Sequence, residues 1–143
     1  MTQHHSLAER DLQEDDLHEL LLEFYARVSE DPLLARFFEA IDMPSHMPRI
    51  VDFWSTLLFH SGRYTGNAFR PHLAMQGLTS AHFARWLETL DATLDASFAG
   101  EHAEQMKDFG RRVAISMQLR LRITPQVPHQ IQVRHAPTAD LDP

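Results

Sequence analysis

Ten histidines are the chemical groups that stand out in this chain of 143 residues. His46, His60 and His72 flank or interrupt its most apolar and aromatic stretch. An imidazole in such surroundings needs a hydrogen-bond partner or a metal ion. The other seven lie in polar termini or beside charged neighbours on helix faces, and we expect them to be solvated: His4, His5, His18, His82, His102, His129 and His135.

Spacing alone does not decide what the three remaining histidines do. His46 precedes Ile50 and Trp54 by four and eight residues, so a helix would carry it on the same buried face. A boundary histidine bonded to a backbone group explains that pattern equally well. His60 should end the same helix and have a structural role. His72 follows a proline in an irregular segment, and its local sequence indicates nothing by itself.

Two aromatic residues with a polar atom complete the candidate chemistry. Tyr25 and Trp86 lie on or next to the inward stripes of two predicted helices, so each ring should reach the interior and need a partner. A zinc site formed by His46, His60 and His72 has no HxxxH or HExxH spacing to support it. A serine hydrolase is disfavoured because no GxSxG motif is present. A haem-free helical interaction module stays open as an alternative.

Composition narrows the function classes. With no cysteine, disulfides, thiolate zinc sites, iron–sulfur clusters and thioether-linked haem are excluded. A net charge of −7 disfavours nucleic acid and anionic lipid as partners. No apolar run is long enough to span a membrane, and residues 1–16 are too polar for a secretory signal. We therefore expect a cytoplasmic protein without a membrane partner, and a monomer.

The positions of apolar residues predict helices throughout, since they recur at three and four and only five glycines occur. A first helix carries a stripe from Leu17 to Val28, with Asp15 or Asp16 as its N-cap, and ends at the Asp-Pro pair at 31–32. A short helix over 31–40 should pack inward. We expect an all-α fold.

A third helix has Ile50, Phe53 and Trp54 on one face, with Ser45 as N-cap and Pro48 in its first turn. Residues 61–75 should form a loop followed by at most a short helix bearing His72.

Thr79 or Ser80 should cap the next helix, which Gly100 ends, and a last helix should run from about 101 to 122. We expect one domain over 1–122 with a short polar segment at 1–14, followed by a proline-rich tail, 123–143, that is extended or disordered.

Taken together, these residues resemble the truncated haemoglobins, and specifically their group III branch. The resemblance covers about 17–119. It rests on the order and spacing of the following motifs: Phe24-Tyr25, Asp31-Pro32-Leu33-Leu34, Phe38, His46, Ile50, Phe53-Trp54, Tyr64-Thr65-Gly66, His72-Leu73, Phe83 and Trp86-Leu87. The glycine pairs typical of groups I and II are absent. The family has a shortened globin fold in which two helix pairs clamp a haem.

The resemblance implies roles for particular residues. His72 would be the proximal iron ligand of a b-type haem, which must be non-covalent because no CxxCH occurs. Tyr25, His46 and Trp86 would be hydrogen-bond donors on the distal side. The other haem contacts would be Phe24, Phe38, Ile50, Phe53, Tyr64, Arg70 and Met75. Arg49 and Arg63 are further candidates for the propionates, with Arg70 preferred.

The resemblance leaves two functions open. The first is binding of dioxygen or another diatomic gas at the haem iron, for storage or sensing. The second is a haem redox enzyme, peroxidase-like or a nitric oxide dioxygenase, which would need a separate reductase because this chain has no room for one. Because Pro44 and Pro48 place His46 near the start of its helix, we expect His46 to gate ligand access, while Tyr25 and Trp86 hold the ligand.

Overall fold

Four α-helices carry the fold of the computed structural model, which describes residues 10–66, 75 and 77–123. They are α1 (Leu17–Glu30), α2 (Met43–Phe59), α3 (Ser80–Ser97) and α4 (Glu101–Arg120). Two 3₁₀ turns, Glu14–Asp16 and Ala35–Phe38, precede α1 and α2. No strand occurs among the described residues, so the all-α prediction is confirmed. No helix within these ranges has the length and hydropathy to cross a bilayer.

The helices form two pairs that share one core. α1 packs on α2, α3 packs on α4, and the pairs meet through contacts of α1 with α3 and of α2 with α4. Leu21 and Phe24 of α1, Leu90 of α3 and Met106 of α4 are all fully buried where the pairs meet. The helices bearing Tyr25 and His46 therefore face those bearing Trp86 and Val113.

α1 starts directly after Asp16, one of the two predicted N-cap residues. Asp16 occupies the N-cap position, but its side chain does not cap α1. Its carboxylate instead accepts hydrogen bonds from the Gln13 backbone N–H at 2.8 Å and from the Arg10 guanidinium at 2.9 Å. It thereby closes the 3₁₀ turn before the helix. The end of α1 is as predicted, because Asp31 is extended before its proline.

The helix predicted over 31–40 is wrong in extent, since only the turn Ala35–Phe38 is helical. The Asp31 carboxylate and carbonyl accept the N–H groups of the next residues, at 2.9 Å from Leu33 and 2.8 Å from Ala35. These bonds wrap the backbone into a tight turn instead of a long helix. Leu34 and Phe37 are nevertheless buried, so the expected inward packing is present.

α2 begins earlier than predicted, with Asp42 and not Ser45 at the N-cap. Ser45 lies inside the first turn, where its hydroxyl donates to the Asp42 carbonyl at 3.1 Å. Pro44 occupies the early position that tolerates a missing N–H. Pro48 therefore falls inside the helix, where it cannot donate to the Pro44 carbonyl.

The ends of α3 and α4 are set by polar side chains. Thr79 is the N-cap of α3, as predicted, and its N–H donates to His82 Nδ1 at 2.9 Å. α3 ends at Ser97, and Gly100 instead begins α4 with φ +147°. The Asp11 carboxylate, far away in sequence, accepts the first N–H groups of α4, both at 3.0 Å.

α3 and α4 approach closely at Gly110. A Cβ on Gly110 would lie 2.8 Å from Cδ2 of Leu90 and 3.5 Å from Cδ2 of Leu87. It would also come within 3.8 Å of the Trp86 ring. Leu90 is fully buried, so its side chain would have to shift within the core. The absence of a side chain at 110 therefore sets the distance between these two helices.

We predict that Gly110→Val destabilises the protein by about 2 kcal/mol or more, because the added methyls would overpack this contact. Urea unfolding followed by far-UV circular dichroism measures the change in the free energy of unfolding. Ser116→Val, at an exposed position of the same helix, is the matched control and should change stability by less than about 0.5 kcal/mol. Equal effects of the two substitutions would contradict a close helix contact at 110.

Candidate functional site

A cavity opens between the two helix pairs and is lined by all four helices. The space it encloses, counting its open mouth, is about 1310 Å³. Its walls are mainly apolar and aromatic: Leu34, Phe37, Phe38, Ile41, Met43, Ile50, Phe53, Trp54, Met75, Leu78, Phe83, Val113, Ala114 and Met117. Its polar members are Tyr25, His46, Arg49, Tyr64, His82 and Trp86. Apolar walls with a few convergent polar groups are typical of sites for a large planar cofactor or ligand.

The three predicted distal donors meet in this cavity. Tyr25 comes from α1, His46 from α2 and Trp86 from α3, so residues up to 61 positions apart line one space. Phe38, Ile50, Phe53, Tyr64 and Met75, which were predicted as cofactor contacts, line it as well.

Two predicted residues, His72 and Arg70, lie outside the described residues, as does the tail 124–143. The roles that the sequence suggests for His72 and Arg70 stay predictions.

The Tyr25 hydroxyl lies in a strongly apolar environment. Burial raises the pKa of Tyr25 to about 12, and a hydrogen bond with the Trp86 side chain partly opposes that shift. Apolar surroundings disfavour the charged phenolate and so raise the pKa of Tyr25. The indole N–H of Trp86 can only donate, so it stabilises the phenolate and lowers that pKa. At neutral pH Tyr25 therefore keeps its proton and can donate it to a ligand in the cavity.

Phe24 packs against both Tyr25 and Trp86. Its ring contacts Tyr25 edge-on at a centroid distance of 4.6 Å and Trp86 at 5.5 Å. Phe24 is fully buried and is not among the lining residues of the cavity. It was predicted as a cofactor wall, but it supports the two donors instead. Phe38 packs on the other side of Tyr25 at 5.8 Å and does line the cavity.

His46 is the fourth residue of α2 and is half-buried at the cavity wall. Its backbone N–H donates to the Asp42 carbonyl at 3.1 Å. Because the helix starts at Met43, His46 lies in its first turn, as predicted. The proline two residues later still removes one helix hydrogen bond beside it.

The mouth of the cavity carries an arginine next to a tyrosine. The Arg49 Nη2 atom lies 2.9 Å, and the Tyr64 hydroxyl 3.0 Å, from the position that a Cβ on Gly66 would take. No side chain at 66 would fit between them. Tyr64 also contacts the Phe53 ring edge-on at 5.2 Å, and its N–H donates to Thr56 Oγ1 at 3.1 Å. Arg49 is exposed at this rim and is available to an anionic group.

Arg63 does not belong to the site, although it was a candidate for it. Its guanidinium forms ion pairs with Glu14 and with Asp52, the latter at 3.3 Å, and donates to Ser55 Oγ at 2.8 Å. Ser55 is fully buried and also donates to Glu14. This network anchors the loop that carries Tyr64 to the rim. The partners that determine the position of Arg63 lie 8 and 49 residues away in the sequence. The residues next to Arg63 therefore could not show that it belongs to this network.

His82 is a cavity residue that the sequence analysis placed in solvent. Its ring contacts Phe37 edge-on at a centroid distance of 4.9 Å, and its Nδ1 accepts the Thr79 N–H. Burial, and then the positive charge of Arg36, lower the pKa of His82 below its usual value. The neutral ring that results carries its proton on Nε2. The sequence feature that could have indicated this bond is the position of His82, three residues after a threonine N-cap.

His102 is a second histidine that was expected in solvent, but it is half-buried. Its Nδ1 lies 3.1 Å from the Leu12 carbonyl, and its ring contacts Phe59 at 4.7 Å. This contact is remote from the cavity and joins α4 to the N-terminal segment. His60 ends α2 as expected, with a left-handed backbone of φ 59°. Within the described ranges no three metal-ligating side chains converge.

Comparison with known proteins places the chain in a recognised group. The family model described as Bacterial-like globin matches residues 13–118. The crystal structure of group III truncated hemoglobin from Campylobacter jejuni superposes with a TM-score of 0.69, at 22% sequence identity, over 77% of this chain and 91% of that chain. No curated protein matches the chain significantly. The predicted resemblance is thus confirmed for the family, and the predicted fold is confirmed.

We predict that Tyr25 titrates with a midpoint near pH 12 because its hydroxyl is buried. Nuclear magnetic resonance of ¹³Cζ-labelled tyrosine measures this in Tyr64→Phe protein, where Tyr25 is the only tyrosine left. Since the folded pKa exceeds the unfolded one, the protein should lose stability as pH rises from about 10 to 12, and Tyr25→Phe should remove that loss. Trp86→Phe should raise the midpoint further. A midpoint near 10 would contradict a buried hydroxyl.

Proposed function

We propose that this chain, which belongs to the bacterial-like globin family, holds a b-type haem in the cavity with His72 as iron ligand and binds dioxygen on the opposite face. Membership of a globin family implies haem binding. Beyond haem binding, the proposal specifies the b-type haem, dioxygen as the ligand, membership of group III and the roles of individual residues. The observation that carries it is the meeting of Tyr25 and Trp86 in an apolar cavity.

The residues of the cavity suit a haem. Its aromatic and aliphatic walls match a flat apolar macrocycle, and Arg49 at the rim suits a propionate carboxylate. An imidazole such as that of His72 is a usual axial ligand of haem iron, and it leaves the other face free. The bound haem would supply a reduced iron that binds the diatomic gas reversibly.

The protein groups around the iron set how long a ligand stays. Trp86 donates to the Tyr25 oxygen, which leaves the Tyr25 proton for a ligand that carries partial negative charge. The apolar surroundings strengthen this bond and exclude competing water. Because Phe24 is packed against both rings, the two donors need little reorganisation when a ligand arrives.

His46 has a different proposed role. It lies next to the weakened turn of α2 that Pro48 creates, and it forms part of the cavity wall. We expect its side chain to swing between positions and to control ligand access, while its backbone stays helical.

A haem redox enzyme with a separate electron donor is the second candidate. It is favoured by the convergence of Tyr25 and His46, which could deliver protons to a ligand as it is reduced, with Trp86 as a further hydrogen-bond donor. Both candidates use the same cavity.

Haem binding is tested by the absorption spectrum of the purified protein. We predict a strong Soret band that is lost or much weakened in His72→Ala and restored by added imidazole, because free imidazole can replace the missing ligand. His18→Ala, at an exposed position of α1, is the matched control and should leave the band unchanged. Protein that stays colourless after addition of hemin would overturn the proposal.

Ligand kinetics test the proposed roles of the distal residues. We predict that Tyr25→Phe raises the dioxygen dissociation rate by about tenfold or more, since a buried hydrogen bond contributes roughly 1–3 kcal/mol. His46→Ala should mainly change the association rate. Ser116→Ala, at an exposed position of α4, is the control for loss of a hydroxyl and should change dissociation less than about twofold. Stopped-flow and flash photolysis give these rates, and unchanged dissociation in Tyr25→Phe would refute its assigned role.

A further inference from the structure

The second half of α4 and the residues after it differ in charge from the rest of the chain. Between positions 109 and 123 there are four arginines, Arg111, Arg112, Arg120 and Arg122, and no aspartate or glutamate. The whole chain has 20 acidic residues against 13 lysines and arginines. Positive charge is therefore concentrated on one segment of an acidic protein.

Three of these arginines share a surface with exposed apolar side chains. Ile115 is 42% exposed and Leu119 is 45% exposed, and they are one helical turn apart. The 3.6-residue period puts Arg111 and Arg112 one turn before Ile115, and Arg122 follows Leu119 just past the end of the helix. All three arginines are exposed. We call these five residues the α4 outer face. The Arg112 pair with Asp108, at 2.9 Å, is itself exposed and therefore weak.

The opposite side of the same stretch of helix borders the cavity. Val113, Ala114 and Met117 line it, so the α4 outer face is separated from the candidate haem site by about one helix diameter, roughly 10 Å. Only α4 itself lies between the outer face and the cavity. A partner bound to the outer face would be close to the cofactor.

We propose that the α4 outer face is the docking surface for a small acidic electron-donor protein. The proposal rests on the proposed haem function, because the donor must have an acceptor in the cavity. The docked donor would lose one electron and a ferric haem held in the cavity would accept it, with no covalent bond made or broken. The surface gives this transfer a short path through α4.

The chemistry of the face favours an acidic protein over other partners. Arginine is enriched in protein interfaces, and brief redox encounters need only a small contact area. A symmetric dimer would pair the face with itself and bring its arginines together. A bilayer is disfavoured because two aliphatic side chains give little insertion energy.

The test uses full-length haem-loaded protein and reduced flavodoxin as the acidic donor. Stopped-flow absorbance follows reduction of the ferric haem at low salt. We predict that Arg112→Gln/Arg122→Gln lowers the second-order rate constant by about tenfold, and that the difference disappears at high salt as charges are screened. Arg10→Gln/Arg27→Gln is the matched control. It makes the same change in net charge on exposed or half-buried arginines outside the α4 outer face, and it should change the rate constant less than about twofold.

A second pair of variants tests the apolar part of the face. Ile115→Ala/Leu119→Ala should slow reduction, while Leu22→Ala, which alters an aliphatic residue 41% exposed on α1, should not. Reduction by dithionite, a small reagent, should be the same in every variant. That result would show that haem, fold and potential are intact.

Several results would overturn the proposal without touching haem binding. Equal slowing by the two arginine pairs would mean that only total charge matters. Binding of the protein to vesicles of anionic phosphatidylserine that depends on Arg112 and Arg122 would assign the face to a membrane. A change from dimer to monomer in Ile115→Ala/Leu119→Ala would assign it to a second copy of the chain. A protein without a Soret band, by contrast, would overturn the haem proposal and this one with it.

Discussion

The contact between α1 and α3 at Phe24 is the interaction on which the site depends. Phe24 is fully buried and its ring touches both Tyr25 and Trp86 edge-on. This packing serves two purposes at once, since it joins the helix pairs and orients two polar groups toward one cavity. A donor pair held by apolar packing is rigid, and the same apolar surroundings keep the Tyr25 hydroxyl protonated.

Polar bonds between distant parts of the chain hold the helix ends in place around that contact. Asp11 accepts the first N–H groups of α4, and Asp31 accepts two hydrogen bonds from Arg85 of α3 at 2.8 and 3.0 Å. Ser55 and Glu14 anchor the loop that brings Tyr64 to the rim. These charged interactions lie at the helix ends and in the rim loop. The interior of the cavity can therefore stay apolar.

α4 has two chemically different sides within one stretch. Met117 faces the cavity, while Ile115 and Leu119 are exposed among arginines. Close approach at Gly110 fixes this helix against α3 and sets how far the cofactor site is from the surface. Gas binding and delivery of electrons would thus depend on opposite sides of one helix.

The sequence by itself determined the helical class, the family and the residues that face inward, because these depend on apolar periodicity and motif order along the chain. It identified Tyr25 and Trp86 since each lies on or next to an inward stripe, and Thr79 since a threonine before such a stripe is a local cap signal. It misplaced the start of α2, where two prolines compete for the first turn. Only the tertiary structure decided that His82 borders the cavity, that Phe24 lies behind it and that Arg63 pairs with Glu14. These outcomes depend on partners distant in the chain, and local spacing contains no information about which distant groups a folded backbone brings together.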